Sequence, residues 1–237
     1  RKESSAASDV YKRQKLETAD LRALTTAAIA GLDSDQIAAL NTDHVAALGT
    51  NQIQALTAAQ LDGFSTADMV ALGSAQFAVM SSDQVVSLST AQVVAIEAAD
   101  IGKLTTSVIN ALTDAQLGAM TTDQLTGMGG RVAVLSTSQI NHLSTADLNA
   151  FTASQFSVMT SAQVQAFTTA QVASLETDDL RALSTANFAS LSAGQVEAIT
   201  STQFATLRVN QITALTTEQA AALTTAQVHA LTTDQIQ

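Results

Sequence analysis

Residues 223–237 read LTTAQVHALTTDQIQ, and in that span one phrase occurs twice: Leu, a Thr pair, a small or acidic residue, Gln and a branched apolar residue. The phrase extends backwards through nearly the whole chain. From Leu16 the sequence cuts into eights: LETADLRA, LTTAAIAG, LDSDQIAA, LNTDHVAA and onward. Fourteen octads fill 16–127, a seven-residue unit MGGRVAV covers 128–134, twelve more octads fill 135–230, and the last seven residues are an octad lacking its final position. A fixed short period is the mark of a repeat array.

The columns explain what the phrase builds. Position 1 is always large and apolar, position 6 is apolar throughout with Ala220 the only small residue, and positions 2 and 3 are mostly Thr or Ser. Outside the seven-residue unit, position 5 is Gln in 18 of 27 cases and Asp in 5. With position 2 as helix N-cap, its hydroxyl accepts from a free N–H of the first turn. Gln at position 5 then falls at N3 and reaches back to the N-cap N–H, a capping box, while positions 1 and 6 become the two halves of a hydrophobic staple. Both start signals set the same register, so each octad opens a new helix over positions 3 to 8, roughly 9–10 Å long at 1.5 Å per residue. A helix that short does not stand alone. The unit folds only when its neighbours supply contacts, as in solenoids.

The expected fold is therefore all-α: a solenoid or superhelix of very short capped helices, one per octad. A β-solenoid is the alternative, since Thr suits strands. Ala, Gln and Leu prefer helix, however, and positions 1 and 6 would lie on opposite faces of one strand. One unbroken helix is disfavoured, because an eight-residue step leaves about 80° of net rotation and the apolar stripe would spiral away. Disorder is opposed by the periodic apolar pattern. Positions 1 and 6 are expected to line the interior, position 8 to face a neighbouring coil and position 7 to face water. Position 5 is expected at the edge, where stacked coils could link the Gln residues into a ladder.

A longer period overlies the octad. LETADLRA (16–23), IEAADIGK (96–103) and LETDDLRA (175–182) share Glu at position 2 and Asp at position 5, ten units apart each time. The array 16–237 is thus one solenoid in ten-unit blocks, 16–95, 96–174 and a partial 175–237. Ten units in three turns would give about 3.3 helices per turn, at 3.6 residues per helical turn within each. Ion pairs Glu17–Arg22 and Glu176–Arg181 are expected in the special units, and a local kink or irregular turn at Met128–Val134, where Gly129 and Gly130 replace a cap.

Residues 1–15 do not share the pattern. "SAASDVYKRQ" resembles translated adaptor sequence that contaminates reading frames assembled from environmental or transcript reads, and the segment is expected to be a disordered, non-native tail. The chain has no Cys, Trp or Pro and a net charge of −11, with 5 basic against 19 acidic residues beyond the first fifteen. The missing Cys removes disulfides, thiolate ligands and Cys nucleophiles. The acidity disfavours nucleic acid and anionic lipid, and no apolar run reaches the ~20 residues of a membrane helix.

No chemistry stands out. His44, His142 and His229 occupy positions 5, 8 and 7 and are expected on the surface rather than in a zinc site. The Asp residues sit mostly in the first helical turn, where they complement the helix dipole. There is no Ca²⁺ loop and no phosphate loop, and no Ser–His–Asp set can be chosen without arbitrariness. The expectation is a protein that is not an enzyme, with no catalytic, cofactor or metal residues and no cofactor.

The octads resemble the "LTTxQIxAL" arrays of very large bacterial surface and secreted proteins, including adhesin-like ones. That resemblance, over about residues 16–237, implies an extracellular or cell-surface spacer or scaffold. The alternative is a binding module whose ordered Ser and Thr hydroxyls face a glycan, a mineral or ice. The chain reads as a fragment without polar end caps, so end-to-end self-association is expected.

Overall fold

The computed structural model describes residues 17–237, so the tail and adaptor readings lie outside the described residues. Among the described residues every regular element is helical: twenty-six α-helices of four to six residues and two 3₁₀ helices, Gly129–Val134 and Thr233–Gln235. The helices occupy the octad positions read from the sequence. Thr42–Ala47, Thr90–Ala95 and Thr169–Ser174, for example, each run from position 3 to position 8. The β-solenoid and the unbroken helix are both excluded.

The break between helices is made without Pro and almost without Gly. Leu24 (φ −64°, ψ 138°) and Thr25 (φ −68°, ψ 158°) are both extended, and this pair of conformations recurs at positions 1 and 2. A Thr or Ser favours that conformation because its side chain then bonds the next turn's backbone. At the start of Thr169–Ser174 the Gln171 N–H donates to Thr168 Oγ1 at 3.1 Å, and the Thr168 N–H donates to Gln171 Oε1 at 2.7 Å. Phe167 and Val172, before and after that cap, are both buried, which completes the staple.

The described residues form two compact units, one ending at Gly127 and the other running Met128–Gln237. Within each, a helix packs on the helix three units further on: Thr18–Ala23 on Thr42–Ala47, Thr66–Ala71 on Thr90–Ala95, and Thr169–Ser174 on Ala193–Ala198. Position 5 side chains reach 28 and 31 residues back, to a point between the third and fourth preceding helices. A turn of the coil thus holds between three and four octads.

Position 6 is the deepest column: Leu21, Ile53, Phe77, Val93, Phe156 and Val172 are all fully buried. In the final octads that cover is missing, and Val228 and Ile236 are 51% and 67% exposed. The apolar residue at position 6 is therefore covered largely by the coil that follows it. Phe156 also meets Phe151 and Phe167 edge-on at 6.4 and 6.3 Å, a favoured aromatic geometry.

Position 7 faces solvent, as Val70, Val86 and Val94 show. Position 8 is mostly half-buried and lies against the neighbouring coil. At Gly127 an added Cβ would sit 2.4 Å from the Ala98 carbonyl oxygen, and at Gly63 it would sit 2.8 Å from the Ser34 oxygen. The expected irregularity at Met128–Val134 is a six-residue 3₁₀ helix, with Gly129 at φ 53°. The expected ion pairs are not formed. Arg181 instead lies 3.6 Å from Asp178, and Arg22 Nε donates to the Ala47 carbonyl at 2.9 Å. Glu17 and Glu176 are N-cap residues outside the helix, whereas Asp178 and Arg181 are three apart on one helical face.

The close approach at position 8 makes a paired prediction. Gly127→Ala forces backbone apart and should destabilise by about 1–3 kcal/mol. Gly118→Ala, at a helical position with nothing within 4 Å, should stabilise by roughly 0.5–1 kcal/mol. Denaturant unfolding of both variants measures the difference.

Candidate functional site

The most repeated polar feature is the buried glutamine column. Gln, expected at an edge, lies inside: Gln116, Gln124, Gln163 and Gln227 are at most 2% exposed. Each makes bonds in two directions. Gln163 Oε1 accepts the Thr160 N–H at 2.8 Å, and its Nε2 donates to the carbonyls of Val132 and Leu135, both at 2.8 Å. Gln84 does the same to Ile53 and Leu56 at 2.7 and 2.8 Å, and Gln203 to Val172 and Leu175 at 3.1 and 2.7 Å. The acceptors are the position 6 carbonyl of one helix and the position 1 carbonyl just after it, 31 and 28 residues back. Those carbonyls lie at a helix C-terminus, where the last turn leaves groups without intrahelical partners. The expected ladder therefore exists between glutamine and backbone, not between one glutamine and the next.

The hydroxyl columns are largely spent in the same way. At position 2, Ser81, Thr121 and Thr224 accept from the N3 amide of their own helix. At position 3, several hydroxyls face outward, but others bridge coils: Ser34 Oγ donates to the Ala59 carbonyl at 2.9 Å, and Ser161 Oγ to Asn187 Oδ1 at 2.9 Å. Ala58, Ala98, Ala153 and Ala193 interrupt the column altogether.

The histidines are not brought together. His142 and His229 are exposed. His44 is not, contrary to expectation: it is 4% exposed, and its Nδ1 accepts the Asn41 N–H at 3.3 Å, standing in for a glutamine oxygen. Its position 5 register signals the capping bond to Asn41, though not the burial. No group of three or more His, Asp or Glu residues suited to a metal occurs among the described residues. An open groove of about 590 Å³ is lined by Arg22, Leu24, Thr26, Ala47, Gly49 and Asn51. Its one cation, Arg22, is already bonded to the backbone of Ala47.

Buried aspartates replace glutamine at a few position 5 sites. Asp68 accepts from the Ser65 N–H and hydroxyl at 2.8 and 2.7 Å, and Asp100 accepts from the Ser74 hydroxyl. Asp179 differs. Burial pushes its carboxyl up from 3.8 to about 6, and the carboxylates of Glu176 and Asp178 push in the same direction.

A family model described as the ALTTAQ repeat matches the chain five times, at residues 14–50, 63–95, 93–129, 140–177 and 172–209. The hexapeptide itself stands at 222–227 and spans a helix break, from position 8 of one unit to the capping Gln of the next. No curated protein matches the chain.

Removing one bridge should be costly. Gln163→Leu strands two carbonyls and the Thr160 N–H and should destabilise by about 2–4 kcal/mol, since each buried group left unpaired costs about 1–3 kcal/mol. Gln165→Leu, at an exposed position 7, should change stability by less than about 0.5 kcal/mol. Equal effects in the two variants would contradict the role given to the column.

Proposed function

The chain belongs to the ALTTAQ repeat family, and from that premise we propose that it is a non-enzymatic spacer or scaffold, an array that holds other modules at a set separation. The observation that carries this reading is the repeated Gln bridge. Within each compact unit it joins a coil to the one before at 31 and 28 residues back, so octads add there without changing those already present. Most Thr and Ser hydroxyls at position 2 and the glutamine side chains at position 5 bond backbone groups, which leaves few of them free for chemistry. We place the array at the surface of a bacterial cell or in its secreted material, where the acidic exterior keeps it dispersed. The alternative, a hydroxyl surface for a glycan, a mineral or ice, has weaker support: Ser34 and Ser161 spend their hydroxyls between coils, and alanines interrupt the column.

The test varies the number of blocks. Fluorescent labels placed at the two ends of arrays with one block removed or one added should report a separation that changes by a constant increment per block. Glycan arrays and ice-recrystallisation assays should stay silent. A separation indifferent to block number, or saturable binding in either assay, would favour the alternative.

The terminal coil of the 237-residue polypeptide exposes position 6 residues that are covered elsewhere, Val228 and Ile236. End-to-end self-association should follow, with mass rising with concentration in light scattering. Constant monomer mass over a wide concentration range would oppose it.

A further inference from the structure

Asp179 stands at position 5 of the octad 175–182, where a glutamine would donate to the carbonyls of Leu148 and Phe151, 31 and 28 residues back in the register of its neighbours. It is 5% exposed. The next octad shows what a side chain one methylene shorter than glutamine does there. Asn187 Nδ2 donates to the Met159 carbonyl, 28 residues back, at 2.6 Å, and its Oδ1 accepts from Ser161 Oγ at 2.9 Å. Aspartate has the same length as asparagine, and the carbonyl that corresponds to that of Met159 in its register is that of Phe151. An ionised carboxylate, however, has no proton to give.

The surroundings offer the ionised form no hydrogen-bond donor from the described residues. The residue corresponding to Ser161, 26 positions back from Asp179, is Ala153, which has no hydroxyl. Thr177–Ala182 packs on Ala153–Val158 and on Ser201–Thr206, and neither helix carries a titratable or charged residue. The charged groups near Asp179 are Glu176, Asp178 and Arg181 on its own element, and Arg181 pairs with Asp178. Asp68, Asp100 and Asp147 each receive a serine hydroxyl, while no donor reaches the Asp179 carboxylate among the described residues.

We infer that Asp179 is a proton-operated joint between successive coils: when neutral, its carboxyl O–H donates to the Phe151 carbonyl as Asn187 does to that of Met159, and when ionised it leaves that carbonyl unbonded and the contact between 153–158 and 177–182 loosens. The direction of the pH effect follows from a folded-state value of about 6 against 3.8. The stabilisation is complete below about pH 4, is lost as pH rises through about 6, and is absent above it. A shift of about two units corresponds to at most a roughly hundredfold change in the opening equilibrium.

The test is a carbon-detected NMR titration of the Asp179 carboxyl in the full chain, with amide hydrogen exchange at pH 4.5 and 7.5 after correction for intrinsic rates. Asp179 should titrate well above 5, and opening of 153–158 and 177–182 should rise ten- to a hundredfold at the higher pH. Asp179→Asn should abolish that rise while leaving exchange elsewhere unchanged. A midpoint near 4, or the same pH dependence in Asp179→Asn, would overturn the inference. The wild-type titration decides the matter even if the variant fails to fold.

Discussion

A glutamine side chain with three hydrogen bonds holds this architecture together. Helices of four to six residues are almost all terminus: most of their backbone groups fall among the four N–H and four C=O that any helix end leaves unpaired. Gln at position 5 addresses both ends. Its oxygen takes the N-cap N–H of its own helix, and its nitrogen gives two protons to the C-terminal carbonyls of a helix one coil away. The purely accepting Asp68 and Asp147 do only the first task, and the shorter Asn187 reaches one carbonyl of the second but does not take its own N-cap N–H. Position 5 is therefore the most restricted polar column.

The array's character follows from that bond. Its acceptors are backbone carbonyls, present in every unit whatever the side chains, so the register survives free variation at position 7. The same bond explains the burial pattern. Position 6 lies beside the bridged carbonyls and is sealed by the coil that brings the glutamine, which is why Phe204 is fully buried and Val228 is half exposed. Stability is thus shared between adjacent coils rather than gathered in one centre.

Much of this was legible in the sequence. The spacing of Thr, Gln and the two apolar positions fixes the helix starts, because N-capping and the hydrophobic staple act within six residues. The cross-coil half was not legible. The carbonyls that receive the Val132 and Leu135 bonds from Gln163 lie 31 and 28 residues away, and that separation depends on the pitch of the coil, which no local rule supplies. His44 was misplaced for the same reason, since an edge position in one octad becomes an interior position once coils stack. Arg181 chose Asp178 over Glu176 because Glu176 stands at the N-cap, off the helical face.

The side-chain amides themselves report whether glutamine bridges the coils. In an isotope-labelled chain, the NH₂ groups of Gln84, Gln124, Gln163 and Gln203 should exchange with solvent as slowly as the helical amides and show scalar coupling across their hydrogen bonds to the acceptor carbonyls. Exchange of these groups as fast as that of the exposed Gln165, with no such coupling, would mean that glutamine does not hold the coils together.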